Sequence, residues 1–135
     1  MTEQFWAKLH LTTEAAFHVV ERALGDECQA SFPDGSVQAR LSPNKQFQPY
    51  RFGMPYDFWL NSEVYAEVEA AEQTKLTLDE FVEGIIRLVI ALRRRGWVVT
   101  AVDNNSISDV LEERLVAATG WNWTEGDPTP PGWAD

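Results

Sequence analysis

The segment from Tyr56 to Glu72 alternates between two kinds of side chain. Most even positions from Phe58 to Ala70 are apolar, whereas the odd positions from Trp59 to Glu69 are aromatic, amide or acidic. Successive side chains of a strand point to opposite faces, so this pattern predicts one long, half-buried strand with an acidic and aromatic outer face. The stretch 62–73 also has high helix propensity, so the strand could instead stop near Tyr65 and be followed by a helical turn.

The composition is typical of one globular domain. The chain has 135 residues, of which 44% are hydrophobic and six are tryptophan, and this is enough for one hydrophobic core. The formal net charge of -10 disfavours binding to nucleic acid or an anionic membrane, because both select for clustered Lys and Arg. The single Cys28 excludes an intrachain disulfide, and the first residues lack the pattern of a signal peptide. We therefore expect a cytoplasmic α+β domain over 1–120, with an irregular tail over 121–135 packed on or near it.

Alternation over 4–12 predicts a first strand, and the apolar spacing that follows predicts a helix capped by Thr12 or Thr13 and ended by Gly25. A continuous helix from Thr2 to Leu24 is the competing interpretation. A second strand is expected at Val37–Leu41, after a turn rich in Pro and Gly.

The second half of the chain shows clearer boundaries. Thr77 and Glu80 form the capping box of a second helix, which Gly96 ends. A buried strand over 97–103 and a last helix from Ser106 to Gly120 follow. The resulting order β-α-β-β-α-β is that of the ferredoxin-like fold, an antiparallel sheet with helices on one face, here with an added carboxy-terminal helix and a Pro/Trp-rich tail.

The second helix has an additional apolar line formed by Val82, Ile86 and Ile90, opposite much of its core-facing side. A helix that is apolar on two sides is buried on two sides. The carboxy-terminal helix is expected to cover this line, and a homodimer interface is the alternative.

The free face of the predicted sheet is the first candidate for a functional surface. Trp59 and Tyr65 would act there as aromatic anchors, and the glutamates of the same strand would form a polar rim that repels phosphates. The alternative is that the tail or the last helix folds back over the aromatic side chains. The predicted partner-binding residues are Trp59, Glu63, Tyr65, Glu67, Glu69 and Asp57.

Acidic residues are concentrated in the same part of the chain. Between Tyr56 and Glu83 there are eight acidic residues against Lys75 alone, a local net charge of -7. Inhibitors and immunity proteins that neutralise basic nucleases use such surfaces, because complementary charge speeds the encounter. An ordinary solvated acidic surface is the alternative.

The candidate catalytic and ligand-binding groups are few. His10 and His18 are the two histidines, and they lack metal-ligand spacing, so neither a metal nor a cofactor is expected. His10 could form an acid–base pair with Glu63. Cys28 has acidic neighbours that oppose thiolate formation, and Arg93 to Arg95 match the negative end of a helix.

Two functions follow from these patterns. The first is a non-enzymatic inhibitor or immunity-type protein that neutralises a basic protein partner such as a toxin. The second is a ferredoxin-like homodimer that binds or converts a small molecule at the sheet face, in a pocket lined by Trp6 and His10 together with Trp59 and Tyr65.

Overall fold

The computed structural model describes residues 5–49, 59–71, 75–103, 108–120 and 122. This part of the chain forms an α+β domain with one four-stranded antiparallel sheet and three helices. The elements in chain order are β1 (Trp6–Thr12), α1 (Phe17–Ser31), β2 (Val37–Pro43), β3 (Val64–Ala70), α2 (Leu78–Arg93), β4 (Val98–Asp103) and α3 (Ser108–Thr119). No helix in the described ranges is both long and apolar enough to cross a membrane.

The sheet is open, and its strand order is β2-β3-β1-β4. β1 therefore pairs with β3 on one side and β4 on the other, and all three pairings are antiparallel. The predicted neighbourhood of the first and third strands is confirmed, with His10 opposite Tyr65 and Lys8 opposite Glu67.

The hydrophobic core lies between one face of the sheet and the helices. Alternate residues of every strand point into it, for example Leu9 in β1 and Val68 in β3, and both are fully buried. Buried residues of α1, α2 and α3 belong to the same cluster, so these helices cover one face of the sheet. α2 contacts both α1 and α3, and Val82 of its second apolar line is completely buried.

β3 is shorter than the alternation predicted. It begins at Val64, and Trp59 to Asn61 form a turn before it; residues 56–58 lie outside the described residues. Asn61 and Ser62 are buried polar residues. The Asn44 amide donates to the Ser62 carbonyl, and the Thr12 hydroxyl at the end of β1 donates to the Asn61 carbonyl, so these two carbonyls bond to side chains and hold the segment in a turn before the strand begins. The strand continues to Ala70, so the alternative helical turn after Tyr65 is wrong.

α1 differs from the prediction at both ends. Its N-cap is Ala16, whose methyl side chain cannot accept a hydrogen bond. The predicted cap Thr13 lies in the preceding turn, where its Oγ1 accepts a hydrogen bond from the Ala15 N–H. The helix passes through Gly25 and ends at Ser31. The turns after Gly25 are stabilised because they bury Cys28 in the core. The continuous helix from Thr2 to Leu24 is also wrong, because β1 occupies Trp6–Thr12.

α2 begins and ends as predicted. The Thr77 hydroxyl accepts from the Glu80 N–H at 3.1 Å, and the Glu80 carboxylate accepts from the Thr77 N–H at 3.0 Å, which is the expected capping box. Gly96 follows the helix with a φ of 90°, a conformation that strongly favours glycine.

Arg93 does more than complement the helix end. Its guanidinium donates to the Val99 carbonyl of β4 from two nitrogens, at 3.1 and 2.8 Å, and to Thr119 Oγ1 of α3 at 2.9 Å. Burial lowers its pKa to about 10, because the low-polarity surroundings disfavour the charged form. Arg93 therefore ties α2 to β4 and α3.

Asn122 closes the outer edge of β4. Its Oδ1 accepts from the Ala101 N–H and its Nδ2 donates to the Ala101 carbonyl, both at 2.9 Å. These two bonds replace those that a further strand would make, and they satisfy backbone groups of an edge strand. Asn122 is the described residue of the predicted tail, and it is buried against the domain.

Candidate functional site

Four side chains form an aromatic cluster on the open face of the sheet: Lys8, His10, Trp59 and Tyr65. The Trp59 ring centroid lies 5.3 Å from that of His10, in an edge-to-face arrangement, and 6.1 Å from that of Tyr65. Lys8 Nζ lies 5.7 Å from the Trp59 centroid and 5.1 Å from the Tyr65 centroid, within the range of cation–π attraction. Trp59 and Tyr65 are half-buried, so each still presents surface to solvent.

The turn that carries Trp59 is held in place by the segment after β2. Trp59 Nε1 donates to Gln46 Oε1 at 2.6 Å, and the Asn44 amide donates to the Trp59 carbonyl. Asn61 Nδ2 donates to the Gln48 carbonyl at 2.8 Å. Because these bonds fix both the backbone and the ring, binding at Trp59 would cost little side-chain entropy.

His10 is the buried member of the aromatic cluster. It is 1% exposed and packs against Trp59 and Tyr65. Because the ring is covered, a ligand could reach it only after the side chains packed over it moved. The predicted pocket residue Trp6 lies on the same sheet face at the far end of β1, opposite Glu69.

The charges on the open face are balanced. Glu67 of β3 lies opposite Lys8 of β1 on one side and Arg40 of β2 on the other. Glu69 is exposed, so the described strand residues of this face supply two acidic and two basic groups. Asp57, a predicted partner-binding residue, lies outside the described residues.

The acidic concentration seen in the sequence is divided in space. Asp79, Glu80 and Glu83 belong to α2, on the helix side of the sheet, whereas Glu67 and Glu69 lie on the open face. Asp79 also forms a salt bridge with Arg114 of α3 at 2.7 Å. The eight acidic residues that are neighbours in the chain therefore do not form one patch.

Glu63 precedes β3 and lines a cleft. Its Oε2 accepts from the Thr13 N–H at 2.6 Å. Partial burial raises the pKa of the Glu63 carboxyl and nearby Glu14 raises it further, against the lowering effect of the Thr13 hydrogen bond. The sequence pattern grouped Glu63 with Glu67 and Glu69. In the structure its carboxylate instead bonds to the backbone just after the end of β1.

This cleft, called here the end cleft, lies where β1 ends and β4 begins and measures about 550 Å³. The aromatic side chains of Phe47 and Trp97 line the cleft, and Asn61 and Glu63 add polar groups. Its size is in the range of small-molecule sites. Sequence reasoning missed it, because Trp97 was assigned to a buried strand and no role was given to Phe47; their shared aromatic character was the one available signal.

The Cys28 thiol is buried. Burial raises its pKa, so the thiol is disfavoured as a nucleophile by desolvation, a different reason from the acidic neighbours that the sequence suggested. Within the described ranges, no group of three or more His, Cys, Asp and Glu side chains is placed to hold a metal ion.

Comparisons of this chain with protein-family models, with curated proteins and with solved structures find no match.

Proposed function

We propose that this chain is a protein-binding domain that presents Trp59 and Tyr65 to a partner protein of net positive charge. The observation that carries the proposal is the half-buried pair Trp59 and Tyr65, with ring centroids 6.1 Å apart, held on the sheet face opposite the helices. Aromatic side chains that are already fixed in place are the residues on which binding energy concentrates at protein interfaces.

Charge supplies the second part of the proposal. The net charge of -10 attracts a basic protein over long distances and so raises the rate of encounter. At contact, the alternating Lys8, Glu67 and Arg40 across three strands would select a partner with a matching pattern of charges. The net charge thus raises the rate of encounter, and the charges of the open face orient the encounter and determine the fit.

The specific form that we propose is an inhibitor or immunity-type protein in the cytoplasm, which blocks a basic partner such as a toxin by covering it and not by catalysis. We also assign the fold to the ferredoxin-like type. The interleaved sheet supports this assignment, because β3 lies between β1 and β2 while β1 lies between β3 and β4, as two interlocked βαβ units require.

The test is affinity capture at low salt from an extract of the organism that encodes the chain, followed by reconstitution with the purified captured protein. We expect one basic protein at near-equal stoichiometry. Trp59→Ala with Tyr65→Ala should weaken its binding by roughly thirtyfold or more, as loss of about 2 kcal/mol at interface anchors implies. Unchanged affinity in this double variant would reject the aromatic pair as the contact surface.

The role of charge is tested by two matched double reversals. Glu67→Lys with Glu69→Lys changes the open face, and Glu112→Lys with Glu113→Lys makes the same change in net charge on exposed positions of α3. Both should slow association at low salt, and the open-face pair should slow it more, by about tenfold. Equal slowing would mean that only net charge matters, and no slowing would remove steering from the proposal.

The homodimer alternative is decided with the same protein. A sheet-to-sheet dimer that binds a small molecule through His10 would require displacement of the side chains that cover it, because His10 is 1% exposed. The protein-binding proposal predicts a solution mass near the 15.3 kDa of one chain. Twice that mass at micromolar concentration, together with no captured protein, would favour the alternative.

A further inference from the structure

The end cleft is separate from the aromatic cluster and has walls suited to an apolar stem. Phe47 and Trp97 are half-buried and line it together with Pro49. A pocket with mostly apolar walls and a few converging polar groups is the usual form of a ligand site. The end cleft departs from this form, because its walls are polar and apolar in nearly equal parts, with Asn61 and Glu63 beside the aromatic rings; such a lining suits a ligand that carries a charge on an apolar stem.

The charged groups that line the end cleft are both carboxylates. Glu14 and Glu63 are its ionisable residues, and no lysine, arginine or histidine is among the described residues that line it. Burial is the main cause of the raised pKa of Glu63, and the negative charge of Glu14 adds a smaller contribution, so both carboxylates act in the same direction on a charge placed in the cleft. A cation beside Glu63 would favour the ionised form of that carboxyl.

Trp97 already attracts a cation. The Arg95 guanidinium carbon lies 5.9 Å from the centroid of the Trp97 ring, a distance at which the negative face of an indole attracts positive charge. Arg95 is exposed and stands outside the lining of the cleft. The Trp97 ring therefore already has a positive charge beside it, and this charge would compete with a second cation in the cleft.

The polar side of the cleft is fixed before any ligand arrives. Thr12 Oγ1 donates to the Asn61 carbonyl at 2.8 Å, and the Thr13 N–H donates to Glu63 Oε2 at 2.6 Å. Thr13 Oγ1 in turn accepts from the Ala15 N–H at 3.0 Å. These bonds hold the end of β1 against the segment before β3. The site is therefore formed before a ligand binds, and ordering it adds little to the free-energy cost of binding.

We propose that the end cleft binds an alkylammonium or alkylguanidinium group, with the cation beside Glu63 and the apolar stem against Trp97 and Phe47. The group can belong to a free amine or to a basic side chain of a protein partner, since both present the same chemistry. This proposal does not depend on the protein-binding role of the aromatic cluster.

The test is a titration of the isotope-labelled chain with n-butylguanidinium and, separately, with its neutral isostere n-butylurea, followed by NMR at the indole N–H of Trp97. We expect the cation to bind about tenfold more tightly than the urea, a ratio typical of combined charge and cation–π attraction. Equal affinities, or movement of the Trp59 indole signal in place of that of Trp97, would overturn the proposal.

Three substitutions sharpen this test. Glu63→Gln retains an acceptor for the Thr13 N–H. It should weaken binding of n-butylguanidinium by about tenfold and leave binding of n-butylurea unchanged. Glu112→Gln makes the same charge change on α3 and should leave both ligands unchanged. Arg95→Gln should strengthen binding of n-butylguanidinium, because it removes the competing guanidinium of Arg95. Equal effects of the two glutamate variants would assign the binding to net charge and reject the site.

The two sources of the cation are separated by a blocked tripeptide, acetyl-Gly-Arg-Gly-amide. If it binds as tightly as n-butylguanidinium, the cleft accepts an arginine of a partner; if only the free cation binds, the site is built for a small amine. Trp59→Ala with Tyr65→Ala should keep full cation binding. Loss of cation binding in that folded variant would contradict a separate site.

Discussion

Gly84 of α2 provides a sharp test of how α1 and α2 pack. A Cβ atom built at this position would lie 2.2 Å from Cε1 and 2.3 Å from Cζ of Phe32. Phe32 is 3% exposed and stacks on Phe81 with ring centroids 6.0 Å apart, so its ring has little room to retreat. Gly84→Ala should therefore force Phe32 out of position.

The magnitude follows from two opposing terms. Overpacking a formed core costs about 1–3 kcal/mol, whereas replacing glycine by alanine inside a helix gains about 1 kcal/mol. Gly25 of α1 is the matched control, because it is exposed and a Cβ there would meet nothing within 4 Å. The free energy of unfolding should rise by up to about 1 kcal/mol in Gly25→Ala and fall by up to about 2 kcal/mol in Gly84→Ala.

The assay is urea denaturation followed by tryptophan fluorescence, in which a shift in midpoint at unchanged slope reports stability. Phe32→Leu removes the two ring atoms nearest to the added methyl group, so Gly84→Ala made in that background should lose most of its penalty. Equal effects of Gly84→Ala and Gly25→Ala would refute the packing of Phe32 on α2.

Three further predictions concern single side chains. Glu63→Gln should become more stable relative to wild type as pH rises from 4.5. The pKa of Glu63 is raised in the folded chain, so the folded chain binds the Glu63 proton more tightly than the unfolded chain and loses stability when Glu63 ionises. Denaturation midpoints measured across this pH range report the difference. Arg93→Lys should lower the free energy of unfolding by about 1–3 kcal/mol, since lysine cannot bridge β4 and α3 as the guanidinium does. Asn122→Asp should cost a similar amount, about 1–3 kcal/mol, because a carboxylate cannot donate to the Ala101 carbonyl; thermal or urea unfolding measures both.

These predictions have their own controls. A pH-independent difference between Glu63→Gln and wild type would contradict the raised pKa. Arg94→Lys, at an exposed position beside Arg93, should leave stability unchanged, so equal losses at both arginines would contradict the bridging role. Wild-type stability in Asn122→Asp would show that the edge of β4 does not need its partner.

The periodic signals in the sequence predicted the interior of the elements better than their ends. Alternation placed Val64, Ala66, Val68 and Ala70 on the core face because the period of two holds wherever a strand is half buried. The start of β3 could not be predicted, because it depends on bonds from Asn44 to residues 15 and 18 positions away. The same holds for α1, where tertiary packing outweighs the stop signal at Gly25.

The candidate site was predicted in part for similar reasons. Trp59 and Tyr65 share the open face as expected, although Trp59 reaches it from a turn and not from the strand. Counting charge along the chain misjudged the surface, because α2 carries three of the counted carboxylates to the other side of the sheet. Lys8 and Arg40 come from strands that only the fold brings beside Glu67.

The most direct measurement of the central claim is an NMR spectrum of the labelled chain, recorded with and without the purified captured partner. Binding through the aromatic cluster predicts the largest changes at the Trp59 indole N–H and at the backbone amides of Val64–Ala70, with α3 unchanged. Changes centred on α3 or α1, with the Trp59 signal unmoved, would contradict the account.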